Sequence, residues 1–149
     1  MSKHNLARPH DESCVFCRIV AGSIPCHRIY EDDLVLSFLD IGPVTPGHVL
    51  LIPKAHHATV MTAPPELMAE LGRRLPKLAR AVTQAVSCPA CHVLLNSGVE
   101  AMQSVAHLHY HIIPRRLGDS FHVPWPAGKI DTATAQSLVA RIGEILNEA

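Results

Sequence analysis

The segment His107-Leu108-His109-Tyr110-His111 constrains this chain more than any other. Three imidazoles alternate with apolar side chains, and in an extended backbone successive side chains point to opposite faces. Strand geometry therefore predicts one face of packed Leu108, Tyr110 and Ile112, and one face presenting a row of nitrogens. Neighbouring imidazoles on that face start from Cα atoms about 6.5–7 Å apart. Imidazoles bind transition metals and switch between base and acid near neutral pH. A neutral imidazole is also a competent nucleophile toward phosphorus, because one ring nitrogen keeps a free lone pair. The middle residue, His109, can be oriented from both sides, which makes it the candidate nucleophile.

Around that segment the hydrophobic period predicts short strands and few helices. Val15 to Val20 is a short apolar stretch closed by Gly22, one or two helical turns long. Arg28 to Glu31 and Leu34 to Leu39 read as strands flanking the turn Glu31-Asp32-Asp33, and His48 to Pro53 as a third. From Pro64 to Val86 the period changes: Leu67, Leu71, Leu75, Leu78 and Val82 recur at three- and four-residue steps along one helix. Arg73, Arg74, Lys77 and Arg80 lie largely off that stripe and read as a solvated face. Pro76 is expected to kink this helix or to leave one carbonyl unpaired. Val93 to Asn96 and Val105 to Ile113 read as two further strands. A C-terminal helix over 132–148 is expected to turn Leu138, Ile142, Ile145 and Leu146 inward. This pattern predicts an α+β domain on a mainly antiparallel sheet. We place a single domain over residues 14–149, preceded by a polar, disordered leader over 1–13.

Thirteen basic residues balance thirteen acidic ones, so no net field draws the chain to nucleic acid or an anionic membrane. No run of eighteen apolar residues occurs, so no membrane partner is expected, and the opening residues lack the apolar core of a signal peptide. The expected location is cytoplasmic, where the five cysteines would be thiols or metal ligands.

His107-Leu108-His109-Tyr110-His111-Ile112-Ile113 resembles the signature of the histidine triad (HIT) superfamily, and other blocks follow in the family's order. They are Phe16 to Pro25, Glu31-Asp32-Asp33, Phe38-Leu39-Asp40-Ile41, Pro46-Gly47-His48, Ile52-Pro53-Lys54-Ala55-His56, and then Asn96, Gln103 and Ser104. The resemblance spans roughly residues 14 to 116. It implies a five-stranded antiparallel sheet with a long helix and a C-terminal helix, assembled as a homodimer.

It further implies attack on the α-phosphorus of a purine nucleotide, with His109 forming a nucleotidyl-histidine intermediate that water or another acceptor resolves. His107 and His111 would orient it, and His56 would sit beside the phosphate. Asn96, Gln103 and Ser104 resemble the family's phosphate and leaving-group contacts, and Asp40 its ribose carboxylate. Val15, Phe16, Ile19 and Phe38, continued by Ile41, would form the base slot; without the resemblance they read as core. The implied substrates are adenosine phosphoramidates or dinucleoside polyphosphates, and no organic cofactor is implied. Two features depart from or divide the pattern. Val99 to Met102 stand where many relatives carry glycines, and Ile113-Pro114-Arg115-Arg116 with Gly118-Asp119 leans toward the dinucleoside-polyphosphate branch. Trp125 reads as a core, interface or site residue. The alternative function is a nucleotide- and zinc-binding interaction protein with little turnover.

Cys14-Val15-Phe16-Cys17 is a C-x2-C pair. By resemblance to zinc-binding members, Cys14, Cys17, His56 and His107 would hold a structural Zn2+ in a closed tetrahedral set. His57 would replace His56 if the register differs by one. Cys88-Pro89-Ala90-Cys91-His92 matches the c-type haem pattern in form, but a turn with two buried thiols is the expected reading. Cys26 reads as a packing residue.

Overall fold

The structure, a computed structural model, describes residues 10–122 and 126–149. Residues 1–9, most of the expected leader, and Trp125 lie outside the described residues. The carboxylate of Asp11 accepts from the amide and hydroxyl of Ser13, and its carbonyl accepts from the amide of Cys14.

The elements follow in the order α1 (Val15–Val20), β1 (Arg28–Glu31), β2 (Val35–Leu39), β3 (Val49–Pro53), α2 (Pro65–Ala85), β4 (Ala90–Leu95), β5 (Tyr110–Arg115) and α3 (Thr132–Glu148), with a 3-10 turn at Val99–Ala101. Five strands form one antiparallel sheet in the order β1-β2-β3-β5-β4. The fold is thus α+β with the expected five-stranded sheet.

Strands β2 and β3 are buried along most of their length because both sheet faces are covered near them. On one face α2 packs through Leu71, Leu78 and Val82 against Val35, Val49, Leu51, Leu108 and Ile112. Burying such a side chain is worth about 1.5–3 kcal/mol relative to exposure. On the other face α1 places Phe16, Cys17 and Ile19 against Leu36, Phe38, Leu50 and Ile52. Leu108 and Ile112 go to the α2 side, so the histidines between them emerge on the α1 side.

Pro76 removes one helical N–H, so the Gly72 carbonyl loses its donor four residues on. The helix nevertheless runs through it, held by its apolar face. Arg74 ties α2 to the β1–β2 turn through Asp32 at 2.6 Å. Gly47 takes φ +85°, and a Cβ there would meet Val86 Cγ1 at 2.7 Å. Only glycine fits this turn, which aims the next residue, His48, under the sheet.

Three expectations change. The last strand begins at Tyr110, so His107 and His109 lie in the segment leading into β5 rather than inside it. The ladder to β3 stops at the Leu51–Tyr110 pair; opposite Leu108 the register reaches Pro53, which has no N–H to give. Leu108 donates instead to the carbonyl of His57 at 2.6 Å. Second, β4 starts at Ala90, so Cys91 and His92 are strand residues; only Cys88 precedes the strand, and both thiols are half-buried. Third, α3 buries none of its residues: Leu138, Ile142, Ile145 and Leu146 are 49–71% exposed, not turned inward.

Candidate active site and metal centre

The three triad histidines occupy three different environments. His109 is almost fully buried, and its Nδ1–H donates to the carbonyl of His107 at 2.7 Å. With Nδ1 protonated, a neutral ring leaves the Nε2 lone pair free. Burial lowers the pKa of His109, partly offset by that backbone hydrogen bond and by the charge of Asp40, so the ring is neutral at pH 7. The edge of the ring lies against Phe16, centroids 5.1 Å apart.

His111 is held by a residue outside the triad. His48, buried at the start of β3, accepts the amide of Val44 at Nδ1 (3.3 Å). A neutral ring that accepts at Nδ1 carries its proton on Nε2, and His48 Nε2 is 2.9 Å from His111 Nδ1. Donation along this line leaves His111 with its own proton on Nε2. Burial, then the neighbouring His109 and His48, pushes the pKa of His111 down to about 4, so it acts as a neutral donor. His48 is depressed too, first by burial. Asp40 Oδ2 stands 3.5 Å from His48 Nε2, while its Oδ1 accepts from Gly42 N–H at 2.8 Å. Asp40, His48 and His111 converge closely enough for a cation, but the amide on His48 Nδ1 keeps Nε2 protonated. The trio is a hydrogen-bond chain rather than a metal cage.

His107 faces away from these two. Its Nε2–H donates to the carbonyl of Pro53 at 2.9 Å, which frees Nδ1. Around that nitrogen lie Cys14 Sγ at 3.4 Å, Cys17 Sγ at 3.6 Å and His56 Nδ1 at 3.3 Å, with Cys17 Sγ 3.3 Å from His56 Nδ1. The edges of a zinc tetrahedron with Zn–S of 2.3 Å and Zn–N of 2.0–2.1 Å run to about 3.3–3.8 Å. The donor set and its spacing therefore fit Zn2+, and the Pro53 carbonyl supplies the outer hydrogen bond that fixes a ligating imidazole. Burial lowers His107 to about 4, keeping it neutral as a ligand must be. Cys14 also caps α1, accepting the Cys17 amide at 3.4 Å. His56 belongs to this cluster and not to the slot described next, while His57 contributes its carbonyl to Leu108 and stands outside the cluster.

Between α1, β2 and the triad lies a cleft of about 290 Å³. Of the expected nucleotide contacts, Val15, Phe16, Ile19 and Phe38 form its apolar wall. Asp40, Ser104, His109 and His111 line its polar end, with the exposed Ile41 beside Asp40. Ile24, Pro25 and Cys26 also line it, so Cys26 is a wall residue rather than simple packing. Two expected residues do not line the cleft. Asn96 is half-buried at the end of β4. Gln103 is spent on the protein: its amide donates to the carbonyls of Ala58 (2.6 Å) and Val105 (2.9 Å) and accepts the Gly98 N–H (2.7 Å). Arg115 is likewise committed, forking onto Asp119, while Arg116 reaches the Val86 carbonyl and Cys88 Sγ. His48 was not among the candidate site residues, although the block Pro46-Gly47-His48 belongs to the resemblance and places a histidine directly after a turn glycine at a strand start.

A sheet that delivers an imidazole row to an apolar cleft beside a Cys2His2 cluster defines a histidine-triad protein of the C-x2-C kind. The HIT domain family model matches residues 21–118, and the chain belongs to the HIT family. It is 46% identical to Protein hit of Bacillus subtilis over 76% of this chain and 79% of that one. It is 41% identical to the adenosine 5'-monophosphoramidase hnt1 of Schizosaccharomyces pombe, over 85% and 92%. It is also 41% identical to the adenylylsulfatase HINT3 of Arabidopsis thaliana, over 71% of this chain but 54% of that one. Among solved structures, a Streptococcus mutans protein superposes with a TM-score of 0.88 at 36% identity, covering 91% of this chain and 87% of that one. A Zn-bound histidine triad family protein from Mycobacterium smegmatis superposes with a TM-score of 0.70 at 36% identity, covering 92% and 98%.

Proposed function

We propose that this protein hydrolyses, or transfers the nucleotidyl group from, an adenosine nucleotide derivative at its α-phosphorus, through a covalent intermediate on His109. One observation carries the reading: the Nδ1–H of His109 is committed to the His107 carbonyl, which leaves Nε2 as a buried, neutral nucleophile at the cleft. The base lies against the apolar wall of Val15, Phe16, Ile19 and Phe38, and the ribose hydroxyls hydrogen-bond to Asp40. Nε2 of His109 attacks phosphorus as the leaving group departs, and His111 donates from its Nε2–H to the oxygen that gains charge. Water or another acceptor then displaces the nucleotide from His109. His48 holds His111 in the donating tautomer throughout.

The relatives that cleave adenosine phosphoramidate or adenylyl sulfate support a small leaving group on AMP as the first substrate to try. The dinucleoside-polyphosphate leaning of the Ile113–Asp119 stretch gains no support from geometry, since Arg115 and Arg116 are tied to other groups and do not line the cleft. Cys14, Cys17, His56 and His107 would hold Zn2+. When bound, the ion would cross-link α1 to the triad segment and stabilise the fold, with no part in the reaction.

The test is acid- and base-quenched mass spectrometry during turnover of adenosine 5'-phosphoramidate, beside His109→Ala and His109→Gly. The expected result is an adenylyl adduct mapped to His109, with turnover lost in both variants. Tight nucleotide binding without turnover of the phosphoramidate, adenylyl sulfate or a diadenosine polyphosphate would instead make it a binding protein.

A further inference from the structure

Helix α1 serves two sites at once. Cys14 and Cys17 face the donor cluster, while Val15, Phe16 and Ile19 line the cleft. A helix of six residues does not hold its shape in water on its own. Its cap is a sulfur, a weak acceptor in place of the oxygen that serves most helices, and no acidic side chain supports its first turn. What orders α1 is therefore what its side chains touch. On one side Phe16, Cys17 and Ile19 pack on Leu36, Phe38, Leu50 and Ile52. On the other, the two sulfurs meet His56 and His107. Each sulfur also accepts a backbone amide at 3.4 Å, Cys14 from Cys17 and Cys17 from Asp11, an arrangement suited to thiolates that ligate a cation.

Phe16 joins the two sites. Its ring centre lies 5.7 Å from that of Phe38 in the cleft wall, 5.1 Å from that of His109, and 5.8 Å from that of His107 in the cluster. A second path runs through the backbone of His107. Its ring is held at Nε2 by the Pro53 carbonyl and faces the cluster with Nδ1, and its own carbonyl accepts the Nδ1–H of His109. None of the four cluster residues lines the cleft, so they act on a nucleotide only through α1 and His109.

We propose that Cys14 and Cys17 are positioning residues for the nucleotide base: holding Zn2+ with His56 and His107, they fix α1, so that metal and nucleotide each tighten the binding of the other. The inference rests on the nucleotide reading of the cleft given above. Without a cation, the sulfurs keep only weak hydrogen bonds, and α1 is ordered part of the time. A nucleotide binding that form must order α1 itself, whereas in the zinc-loaded chain the wall is already built. Conversely, a base seated on Val15, Phe16 and Ile19 holds Cys14 and Cys17 at ligating distance from His56 and His107. Coupling of this kind changes affinity by about 5- to 150-fold and is reciprocal by thermodynamic necessity. A helix held rigid by apolar packing alone would give no coupling.

The test uses the full chain, zinc-loaded and metal-free, with AMP as the probe. AMP affinity is measured by calorimetry, zinc affinity by chelator competition with and without saturating AMP, and amide protection by hydrogen–deuterium exchange with mass spectrometry. Metal removal is expected to weaken AMP binding about 10-fold or more, and AMP to tighten zinc binding by the same factor. Protection should fall over residues 11–22 while β2, β3 and α2 keep theirs. Cys17→Ser with zinc present should bind AMP as the metal-free chain does. Equal AMP affinity in the two forms would overturn the proposal and leave the nucleotide reading intact. So would a chain that takes up no zinc, or a loss of protection throughout the sheet, which would make the metal a support of the whole fold. A zinc-loaded chain that binds no AMP would overturn the nucleotide reading and this inference with it.

Discussion

The Nε2 of His48 lies 2.9 Å from the Nδ1 of His111, and both rings are largely withdrawn from water. This contact sets which nitrogen of His111 carries the proton. It follows that His48→Ala lowers kcat by about 10- to 100-fold while KM for the nucleotide moves little, since the lost group orients a donor and does not touch the base or ribose. Steady-state kinetics with both parameters resolved measures this. A change confined to KM would place His48 in substrate binding instead.

The pH dependence follows from the same burial. His111 has a folded pKa of about 4 against an ordinary value near 6.5. The unfolded chain therefore binds a proton more readily, so this group's contribution to stability is complete above about pH 6.5. It is lost as pH falls from there toward 4. Activity should accordingly hold through pH 6, without the decline an exposed histidine pair would produce. A kcat/KM profile falling with a midpoint at 6.5 would contradict the neutral pair.

Asp32 provides a second acid-sensitive point. Burial alone would raise its carboxyl. The Arg74 guanidinium, with the amides of Leu34 and Val35 and the Tyr30 hydroxyl, more than offsets this and holds it well below the usual carboxylate range. The pairing stabilises the fold above the unfolded pKa near 4 and is lost as pH falls through the depressed value. Asp32→Asn should cost about 1 kcal/mol at pH 7, a modest figure because the pair is partly exposed. Below pH 3 the deficit should shrink in urea titrations. An equal deficit at both pH values would remove the ion pair from the explanation.

Metal analysis of the purified chain should find about one zinc per chain. Cys17→Ser, or exhaustive chelation, should lower Tm by several degrees, because the Cys14, Cys17, His56 and His107 donors would be left facing one another without a cation. Any turnover lost this way should come back with folded protein when zinc is restored, whereas His109→Ala should stay inactive at any zinc level. A fully stable, metal-free native chain would show that the cluster is held by packing alone.

Gln103 is expected to behave as a structural residue. Gln103→Ala would strip partners from the Ala58 and Val105 carbonyls and the Gly98 amide, costing about 1–3 kcal/mol in denaturant unfolding. Gln103→Glu keeps the acceptor and loses the donors, so it should recover only part of that stability. A large fall in kcat without loss of stability would return Gln103 to the phosphate.

Much of this molecule is written in local pattern. Alternation in residues 107–111 put the imidazoles on one face because side-chain direction in extended backbone is a property of the chain itself. The stripe Leu67 to Val82 marked α2 for the same reason at helical period. The block order from Phe16 to Ser104 pointed to the family, and the resemblance to its zinc-binding members joined the C-x2-C pair to His56 and His107 as one donor cluster. Other properties depended on what comes near from elsewhere in the chain. Tyr110, not Val105, starts β5 because Pro53 in the neighbouring strand has no N–H to extend the ladder. His48 met His111 only when β3 lay beside β5, and the amide of Gln103 found the Ala58 carbonyl from a distant part of the chain. The amphipathic pattern of α3 specified a helix with an apolar face, but not what that face meets. Periodicity is encoded residue by residue, whereas hydrogen-bond partners and covering surfaces are settled by packing between segments distant in sequence.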